Sequence, residues 1–166
     1  PNLNRFIAGH RIDLKISPNF VLGASEMVVY GVRNIDMMYT IPFIPFWSLQ
    51  HYLGDLDNIQ LSFDFDWKIN QKINLYGAFL IDEWMPSTTF DKNERNWFAY
   101  QLGGRTRNLL INNDLMIIEY NWTDHRIYRH RFPINDYYNH GYPIGFWAGP
   151  HAEEILIYFS IFHLYN

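Results

Sequence analysis

The chain has 166 residues, a net charge of −4 and no cysteine, so neither a disulfide framework nor a basic surface for nucleic acid is expected. Nearly half of the residues are apolar and 19% are aromatic, but no apolar run is long enough for a transmembrane helix. A transmembrane β-barrel remains compatible with this composition, because its strands alternate apolar and polar residues and its aromatic side chains gather at the membrane interfaces.

The first two predicted strands are joined by a tight turn. Arg5 to Ile16 alternates between apolar and polar residues, Ser17-Pro18-Asn19 has the composition of a turn, and a second strand runs from Phe20 to about Tyr30. Glu26 shares a row with apolar residues of this second strand, and a lipid-facing carboxylate would be costly. We therefore expect a β-bulge near Gly23 or Glu26, with Glu26 facing the interior.

A long connection follows, from Gly31 to Asp57. Pro42 and Pro45 exclude a central strand there, because each lacks the amide donor that a strand ladder needs. Ser48 to Leu53 is predicted to form one or two helical turns, with Ser48 as the N-cap and Gly54 as the C′ residue.

The strand from Asn58 to Ile69 has the clearest alternation in the chain. Its apolar residues are predicted to face lipid and its polar residues the interior: Ile59, Leu61, Phe63, Phe65 and Trp67 against Gln60, Ser62, Asp64 and Asp66. At roughly 3.3 Å per residue and a tilt of about 40°, the strand climbs roughly 28–30 Å. That height is enough for the apolar band of an outer-membrane barrel, and the strand is about twice the usual length in soluble sheets.

Four more strands complete the chain: Asn74 to Trp84, Asn96 to Arg107, Leu115 to Thr123 and Glu153 to about Leu164. The connections alternate between short and long, and the later ones are Asn70–Lys72, Met85–Arg95, Asn108–Asn113 and Asp124–Pro150. Outer-membrane barrels have short periplasmic turns and long extracellular loops. Residues 17–19 and 70–72 are therefore predicted to be periplasmic, and 31–57, 85–95 and 124–150 to lie outside the cell.

These elements predict an all-β fold, a segment of an antiparallel up-and-down transmembrane β-barrel of the outer-membrane type with about seven long strands. Bacterial single-chain barrels use an even number of strands, and the chain begins at Pro1 without an initiator Met. We interpret residues 1–166 as part of one barrel domain, incomplete at both ends, from a longer exported protein.

Several short motifs follow one another in a definite order along the chain. They are Gly9-His10-Arg11, Gly23-Ala24-Ser25-Glu26, Asp57-Asn58, Tyr76-Gly77-Ala78-Phe79-Leu80-Ile81-Asp82-Glu83, Glu119-Tyr120, Gly141-Tyr142-Pro143-Ile144-Gly145 and Gly149-Pro150-His151-Ala152-Glu153-Glu154. In this order and spacing they resemble the Wzi family of outer-membrane capsule-assembly proteins over essentially the whole chain. The resemblance implies an eighteen-stranded barrel, preceded by a periplasmic helical segment, that acts as a lectin for capsular polysaccharide at the bacterial cell surface. The present chain resembles a central slice of that barrel.

The loop from Asp124 to Pro150 carries the candidate glycan-binding residues. It combines three arginines with five large aromatic side chains: Arg126, Tyr128, Arg129, Arg131, Tyr137, Tyr138, Tyr142 and Trp147. Sugar rings offer apolar faces to aromatic side chains, and acidic sugars offer carboxylates to arginine. The alternative is a loop folded on itself, with aromatic side chains that belong to the membrane interface.

Charged strand residues are candidates for lining the barrel interior, namely Glu26, Asp64, Asp66, Asp82, Arg105 and Glu119. The carboxylate pairs Asp82-Glu83 and Glu153-Glu154 could suggest a glycosidase, but neighbours on a strand point to opposite faces, so we expect structural roles. The histidines lack zinc-binding spacing, and His125, His130, His140 and His151 are expected to be solvated loop residues. No catalytic residue, metal or cofactor is predicted.

The favoured function is a non-enzymatic surface lectin that attaches or organises capsular or extracellular polysaccharide, with that polymer and outer-membrane lipid as its partners. The alternative is an outer-membrane porin for the passage of small solutes. A soluble lipocalin-like binder is a third hypothesis, and the alternation of short and long connections argues against it.

Overall fold

The computed structural model of the protein describes residues 4–162 except 55, 90 and 92. The described chain forms a seven-stranded antiparallel sheet in which each strand pairs with the long strand before it. The strands are β1 (Arg5–Ser17), β2 (Phe20–Gly31), β3 (Asn58–Lys68), β4 (Ile73–Glu83), β5 (Trp97–Arg107), β6 (Asp114–Thr123) and β9 (Glu153–Ile161). A separate two-stranded ribbon of β7 (Tyr138–Asn139) and β8 (Tyr142–Pro143) precedes β9.

The all-β, antiparallel part of the prediction is confirmed. The first residues of the seven long strands agree with the predicted ones to within about one position, and the predicted end at Leu164 lies outside the described residues. Within the described part of the chain the sheet is open, because β1 and β9 form its two edges and do not pair with each other. Barrel closure therefore remains a prediction.

The connections alternate in length as predicted, and the antiparallel order brings the long ones to one end of the sheet. We call residues 32–57 the first long loop, 84–96 the second long loop and 124–152 the third long loop. Turns at 18–19, 69–72 and 108–113 join the strands at the other end. Which end lies outside the cell remains a prediction.

Short helical segments occur only in the long loops of the described chain. They are the 3₁₀ turns Met37–Thr40, Pro86–Thr88 and Pro133–Asn135 and the helix α1 (Phe46–Leu53). Among the described residues, no helix has both the length and the apolar character to cross a membrane.

The helix α1 begins two residues earlier than predicted. Ser48 lies inside its first turn, so the prediction that Ser48 is the N-cap is wrong. A carboxylate on the neighbouring strand β2 replaces the local cap, since the amide of Phe46 donates to Glu26 Oε2 at 2.7 Å. Gly54 follows the helix with φ +91°, which confirms its predicted C′ role.

The strand register confirms that the sheet has one apolar and one polar face. One row across it contains Ala24, Phe63, Phe79, Tyr100 and Trp122, and the row beside it, on the other face, contains Gly23, Asp64, Ala78, Gln101 and Asn121. The apolar face is largely exposed below the long loops, for example at Ile12, Leu102 and Ile157. Its contact with lipid remains a prediction.

Glu26 differs from the prediction, because it lies on the apolar face. The register shifts of the sheet are at Lys15–Ser17 and Ile81–Glu83, and β2 pairs without interruption with β3, so the bulge predicted near Gly23 or Glu26 is wrong. Glu26 tolerates this face because the first long loop covers it. His10 Nε2 lies 3.0 Å from the carboxylate of Glu26. The ring of Phe46 packs on the His10 ring, with the ring centres 4.3 Å apart.

The core consists of two clusters on opposite faces of the sheet. Under the first long loop, on the apolar face, lie Val28, Tyr30, Tyr39, Phe46, Leu49 and Ile59. Under the third long loop, on the polar face, lie Val29, Ala99, Ile127, Tyr128 and Tyr137. Because Val28 and Val29 are neighbours on β2, their side chains point to opposite faces and enter different clusters.

Candidate functional site

The third long loop folds over the part of the polar face that is nearest the long loops. Its residues Ile127 and Tyr137 are buried against the sheet, where Met27 and Leu80 pack around them. Asn135 in its 3₁₀ turn joins it to the start of β3: the Asn135 side chain donates to the Leu56 carbonyl at 2.8 Å, and the Asn58 side chain donates to the Asn135 carbonyl at 3.0 Å. The loop is therefore anchored to the sheet by both apolar and polar contacts.

Tyr128 fixes the conformation of this loop. Its φ of 68° is unusual for a bulky residue, and its amide donates to Asp82 on β4 at 2.5 Å. Its carbonyl accepts from the amide of Tyr137 at 2.8 Å, and its hydroxyl accepts from the amide of Phe146 at 2.9 Å. A Cβ at position 145 would come within 2.4 Å of that hydroxyl, so Gly145 is what allows the chain to approach.

Two of the candidate glycan-binding residues are therefore core residues. Tyr128 is 3% exposed and Tyr137 is 1% exposed, so neither ring can stack on a sugar, and the prediction is wrong for both. Burial raises the pKa of both phenols. These two side chains follow the alternative interpretation, a loop packed on its own aromatic residues.

Arg126 also has a structural position. Its guanidinium bonds to Asp124 at 2.9 Å and donates to the carbonyls of Glu94 and Asn96 at 3.1 and 3.4 Å, so it joins the second and third long loops. It also lies over the ring of Trp97, 5.7 Å from the ring centre. Burial raises the pKa of Asp124, but the hydrogen bonds from Arg126 outweigh burial and the net pKa is lowered.

The remaining candidates in the loop are displayed to solvent to different degrees. Tyr142 and Trp147 are 76% and 74% exposed, Arg129 and Arg131 are also exposed, and Tyr138 is half-buried. The indole of Trp147 donates to Glu154 at 3.0 Å, at the start of β9. The residues that can meet a glycan are therefore the two exposed aromatic side chains and the two exposed arginines.

Five of the six candidate lining residues share the polar face, and Glu26 does not. Asp64, Asp66 and Arg105 line an open concavity of about 430 Å³, together with Tyr76 and Gln101. Glu119 lies beside it. Asp82 is buried beneath the third long loop and is not part of the concavity.

Two side chains on the polar face reach across an intervening strand at a glycine. Arg11 on β1 crosses Gly23 to pair with Asp64 on β3 at 2.6 Å, and a Cβ at Gly23 would lie 2.2 Å from the guanidinium. Tyr76 crosses Gly103 in the same way, and its hydroxyl donates to Glu119 at 2.8 Å. A glycine within a strand is a signal of such close approach, and these bridges were missing from the sequence prediction.

A line of hydrogen bonds connects the polar face of the sheet to the exposed part of the third long loop. Glu119 accepts from Tyr76 and, at 2.8 Å, from the side chain of Asn121. Asn121 also donates to Glu154 at 3.1 Å, and Glu154 accepts from Trp147. The exposed indole is therefore oriented by polar contacts that continue down the face of the sheet.

An ionic cluster around the buried Asp57, in the first long loop, is also missing from the sequence prediction. Both ends of the Arg33 guanidinium bond to Asp57, at 2.7 and 2.6 Å, and the hydroxyl of Tyr39 donates to Asp57 at 2.6 Å. Asp36 lies 3.4 Å from Arg33. The hydrogen bonds to Asp57 raise the pKa of Arg33. The pKa of Tyr39 is also raised, mainly by burial and secondly by its hydrogen bond to Asp57. The cluster holds the loop together.

The paired carboxylates do not converge on a common site. Glu153 lies on the apolar face and accepts from Tyr120, whereas Glu154 lies on the polar face with Asn121. Asp82 is covered by the third long loop. In the part of the chain that the structure describes, no three histidine or acidic side chains come together as metal ligands would.

The four loop histidines differ in their exposure. His125, His140 and His151 are exposed, as predicted. His130 is half-buried, so the prediction of a solvated residue is wrong for it. Its Nδ1 accepts from the amide of Phe132 at 3.2 Å, and burial lowers its pKa.

The sequence matches no family model, and neither the curated proteins nor the solved structures compared with it give a match. The exposed residues of the third long loop offer aromatic ring faces and guanidinium groups to solvent.

Proposed function

We propose that this chain is a segment of a bacterial outer-membrane β-barrel that acts as a surface lectin, as its resemblance to the Wzi family implies. It would attach or organise capsular or extracellular polysaccharide without catalysing a reaction. The observation that carries the proposal is a sheet with one exposed apolar face and one polar face, whose long loops all lie at one end.

The apolar face supports contact with lipid. Its exposed side chains include Leu14, Leu102 and Ile155, and burying apolar surface is worth about 25 cal/mol per Å². The long strands have 9 to 13 residues, and a membrane-spanning strand needs about 9–11. Aromatic pairs occur towards both ends of this face: Phe20 with Trp67 near the short turns, and Tyr100 with Trp122 nearer the long loops. Interface girdles of barrels have this arrangement.

The third long loop supports a lectin over a porin. If the polar face lines the barrel, a loop packed on that face narrows the interior, which is unfavourable for wide solute flow. The same loop displays the aromatic residues Tyr142 and Trp147 and the arginines Arg129 and Arg131, and aromatic and arginine side chains are common anchors in binding sites.

The test compares two aromatic pairs in cells that produce the full-length protein. Replacing Tyr142 and Trp147 together by Ala should lower affinity for the polymer by at least about tenfold, because two exposed stacking anchors are lost. The matched control replaces Phe43 and Trp47 of the first long loop by Ala, which removes exposed aromatic side chains elsewhere. The measurement is the ratio of cell-bound to released polysaccharide.

A Tyr142 and Trp147 double variant that assembles normally and retains all its polymer would exclude this surface as the binding site. Loss of polymer in the control variant alone would assign binding to the first long loop. A separate conductance measurement addresses the alternative. The full-length protein in a planar bilayer should be nearly closed, whereas large steady currents would favour a porin.

A further inference from the structure

The first long loop has an exposed outer surface that is apolar. Phe43 is 91% exposed and Met37 is 69% exposed, and Val32, Ile35 and Trp47 are exposed beside them along the loop. We call these five residues the apolar loop surface. Single exposed apolar residues are ordinary, whereas exposed apolar surface concentrated in one segment is typical of an interaction site.

The described charged residues of this loop pair with one another within it. Arg33 bonds to Asp57 and Asp36, and the hydroxyl of Tyr39 bonds to Asp57. These ionic groups pair with one another, and one arginine with two aspartates leaves a formal net charge of −1 in the cluster. A surface of this kind is suited to hydrocarbon more than to an acidic polymer.

The loop that carries this surface packs on the side of the sheet that is apolar. The loop packs on the apolar face, where Tyr39 contacts Tyr30 and where Phe46 covers His10. The covered rows include Ile59 and Leu61. Since β3 rises roughly 28 Å at a tilt of about 40° and the apolar band of a barrel is about 25 Å tall, these rows belong to the upper part of such a band.

We propose that the apolar loop surface inserts into the outer leaflet of the membrane, at the level of the headgroups and upper acyl chains. This inference depends on the proposed function, in which the apolar face meets lipid. The loop takes the place of lipid on the rows that it covers, so its own outer side meets the lipid instead. Phe and Trp suit that depth, because aromatic side chains favour the membrane interface.

The third long loop differs from the first in the face that it covers and in the residues that it exposes. It leaves the same end of the sheet and is also rich in aromatic residues, but it covers the polar face and displays Arg129 and Arg131. One long loop should therefore meet lipid, while the other should meet water and polymer.

The chain contains no cysteine, so single cysteines can report on the surroundings of each site. Phe43→Cys, Tyr142→Cys and Phe63→Cys are made separately in the full-length protein and labelled with a small fluorophore. The protein is reconstituted in phosphatidylcholine vesicles that carry a nitroxide either near the headgroup or near the end of the acyl chain. Aqueous iodide serves as the opposing quencher.

The label at position 43 should be quenched by the headgroup-proximal nitroxide at least about twofold more than the label at position 142, because interfacial side chains lie roughly 5–10 Å into the boundary. Iodide should give the reverse order. The label at position 63, in the middle of β3, should be quenched most by the nitroxide at the chain end.

The outcomes separate the inference from the function on which it depends. If the label at position 63 is quenched by lipid but the label at position 43 is quenched only by iodide, or by neither reagent, the loop does not insert and the inference is overturned while the barrel remains. If the label at position 63 is not quenched by lipid, the membrane-barrel proposal itself fails.

Discussion

The first and third long loops leave the same end of one sheet, yet they cover its opposite faces. Residues 32–57 pack on the apolar face and expose Phe43 and Met37. Residues 124–152 pack on the polar face and expose Tyr142, Trp147 and two arginines. Both loops bury an apolar cluster, so their inner sides are similar and their outer sides differ.

The aromatic content of a loop therefore does not reveal its role. Each loop places some aromatic side chains in the core and displays others, and only the displayed ones can meet a partner. The sheet face on which each loop packs then limits the kind of partner that the loop can contact. A loop on an apolar face extends an apolar surface, whereas a loop on a polar face can present polar groups without crossing lipid.

The largest expected effect comes from separating buried from displayed tyrosines in the third long loop. Tyr128→Ala should lower the free energy of unfolding by about 3–5 kcal/mol, the usual cost of deleting a buried aromatic side chain. Tyr142→Ala should change it by less than about 0.5 kcal/mol, because that side chain is exposed. Urea unfolding of the full-length protein in detergent measures both values.

Tyr128→Phe is the matched control for the hydroxyl alone. It removes the acceptor of the Phe146 amide and should cost about 1 kcal/mol. Equal stabilities for the Tyr128→Ala and Tyr142→Ala variants would show that the third long loop is not packed on the polar face, and the comparison between the loops would fail.

The second prediction compares the buried carboxylates that anchor the two loops. Asp57→Asn should destabilise the protein by roughly 1.5–3 kcal/mol, because the buried carboxylate loses its charge-assisted hydrogen bonds with Arg33, although Arg33 keeps Asp36 as a partner. Asp82→Asn should cost less than about 1 kcal/mol, since an amide oxygen can still accept from the amide of Tyr128. The neighbouring charges of Asp82 are the carboxylates of Glu83 and Asp136, so neutralising it removes no favourable charge pair with them.

The same unfolding measurement checks this pair of variants. A larger loss for Asp82→Asn than for Asp57→Asn would reverse the ranking of the two anchors. It would assign the stronger ionic contribution to the third long loop.

The strands were predictable because their signal is local. In β3 the apolar residues alternate with polar ones over the whole strand, and a period of two fixes both the element and its faces. The alternation of connection lengths is likewise visible without tertiary information. The antiparallel sheet and the position of the long loops therefore follow from sequence.

The errors occur where a distant part of the chain changes the meaning of a residue. The sequence predicts Glu26 on the polar face, because an uncovered carboxylate is costly among apolar neighbours. In the structure, Phe46 of the first long loop covers its partner His10 and donates its amide to Glu26. That same bond replaces Ser48 as the helix cap. The sequence predicts Tyr128 as a glycan-binding residue, and its residue type does not reveal that it is buried. Gly145 was the available signal, since it permits close packing against Tyr128.

The smallest expected effect is the pH dependence of the third long loop. Burial lowers the pKa of His130 below its ordinary value of about 6.5, and its Nδ1 must be unprotonated to accept from the amide of Phe132. The folded state therefore holds His130 neutral, while the unfolded chain takes up a proton below about pH 6.5. Stability is thus present above that pH and is lost as the pH falls through the lowered pKa of the folded state.

The loss should stay below about 1 kcal/mol, because solvent screens a half-buried group. Urea unfolding of the full-length protein at a series of pH values measures it, and His130→Gln should flatten this part of the curve. His140→Gln is the matched control, since His140 is an exposed residue of the same loop, and it should leave the curve unchanged. A curve that His130→Gln does not alter, or one in which His140→Gln removes the dependence, would mean that His130 is not held neutral by the packing of the third long loop.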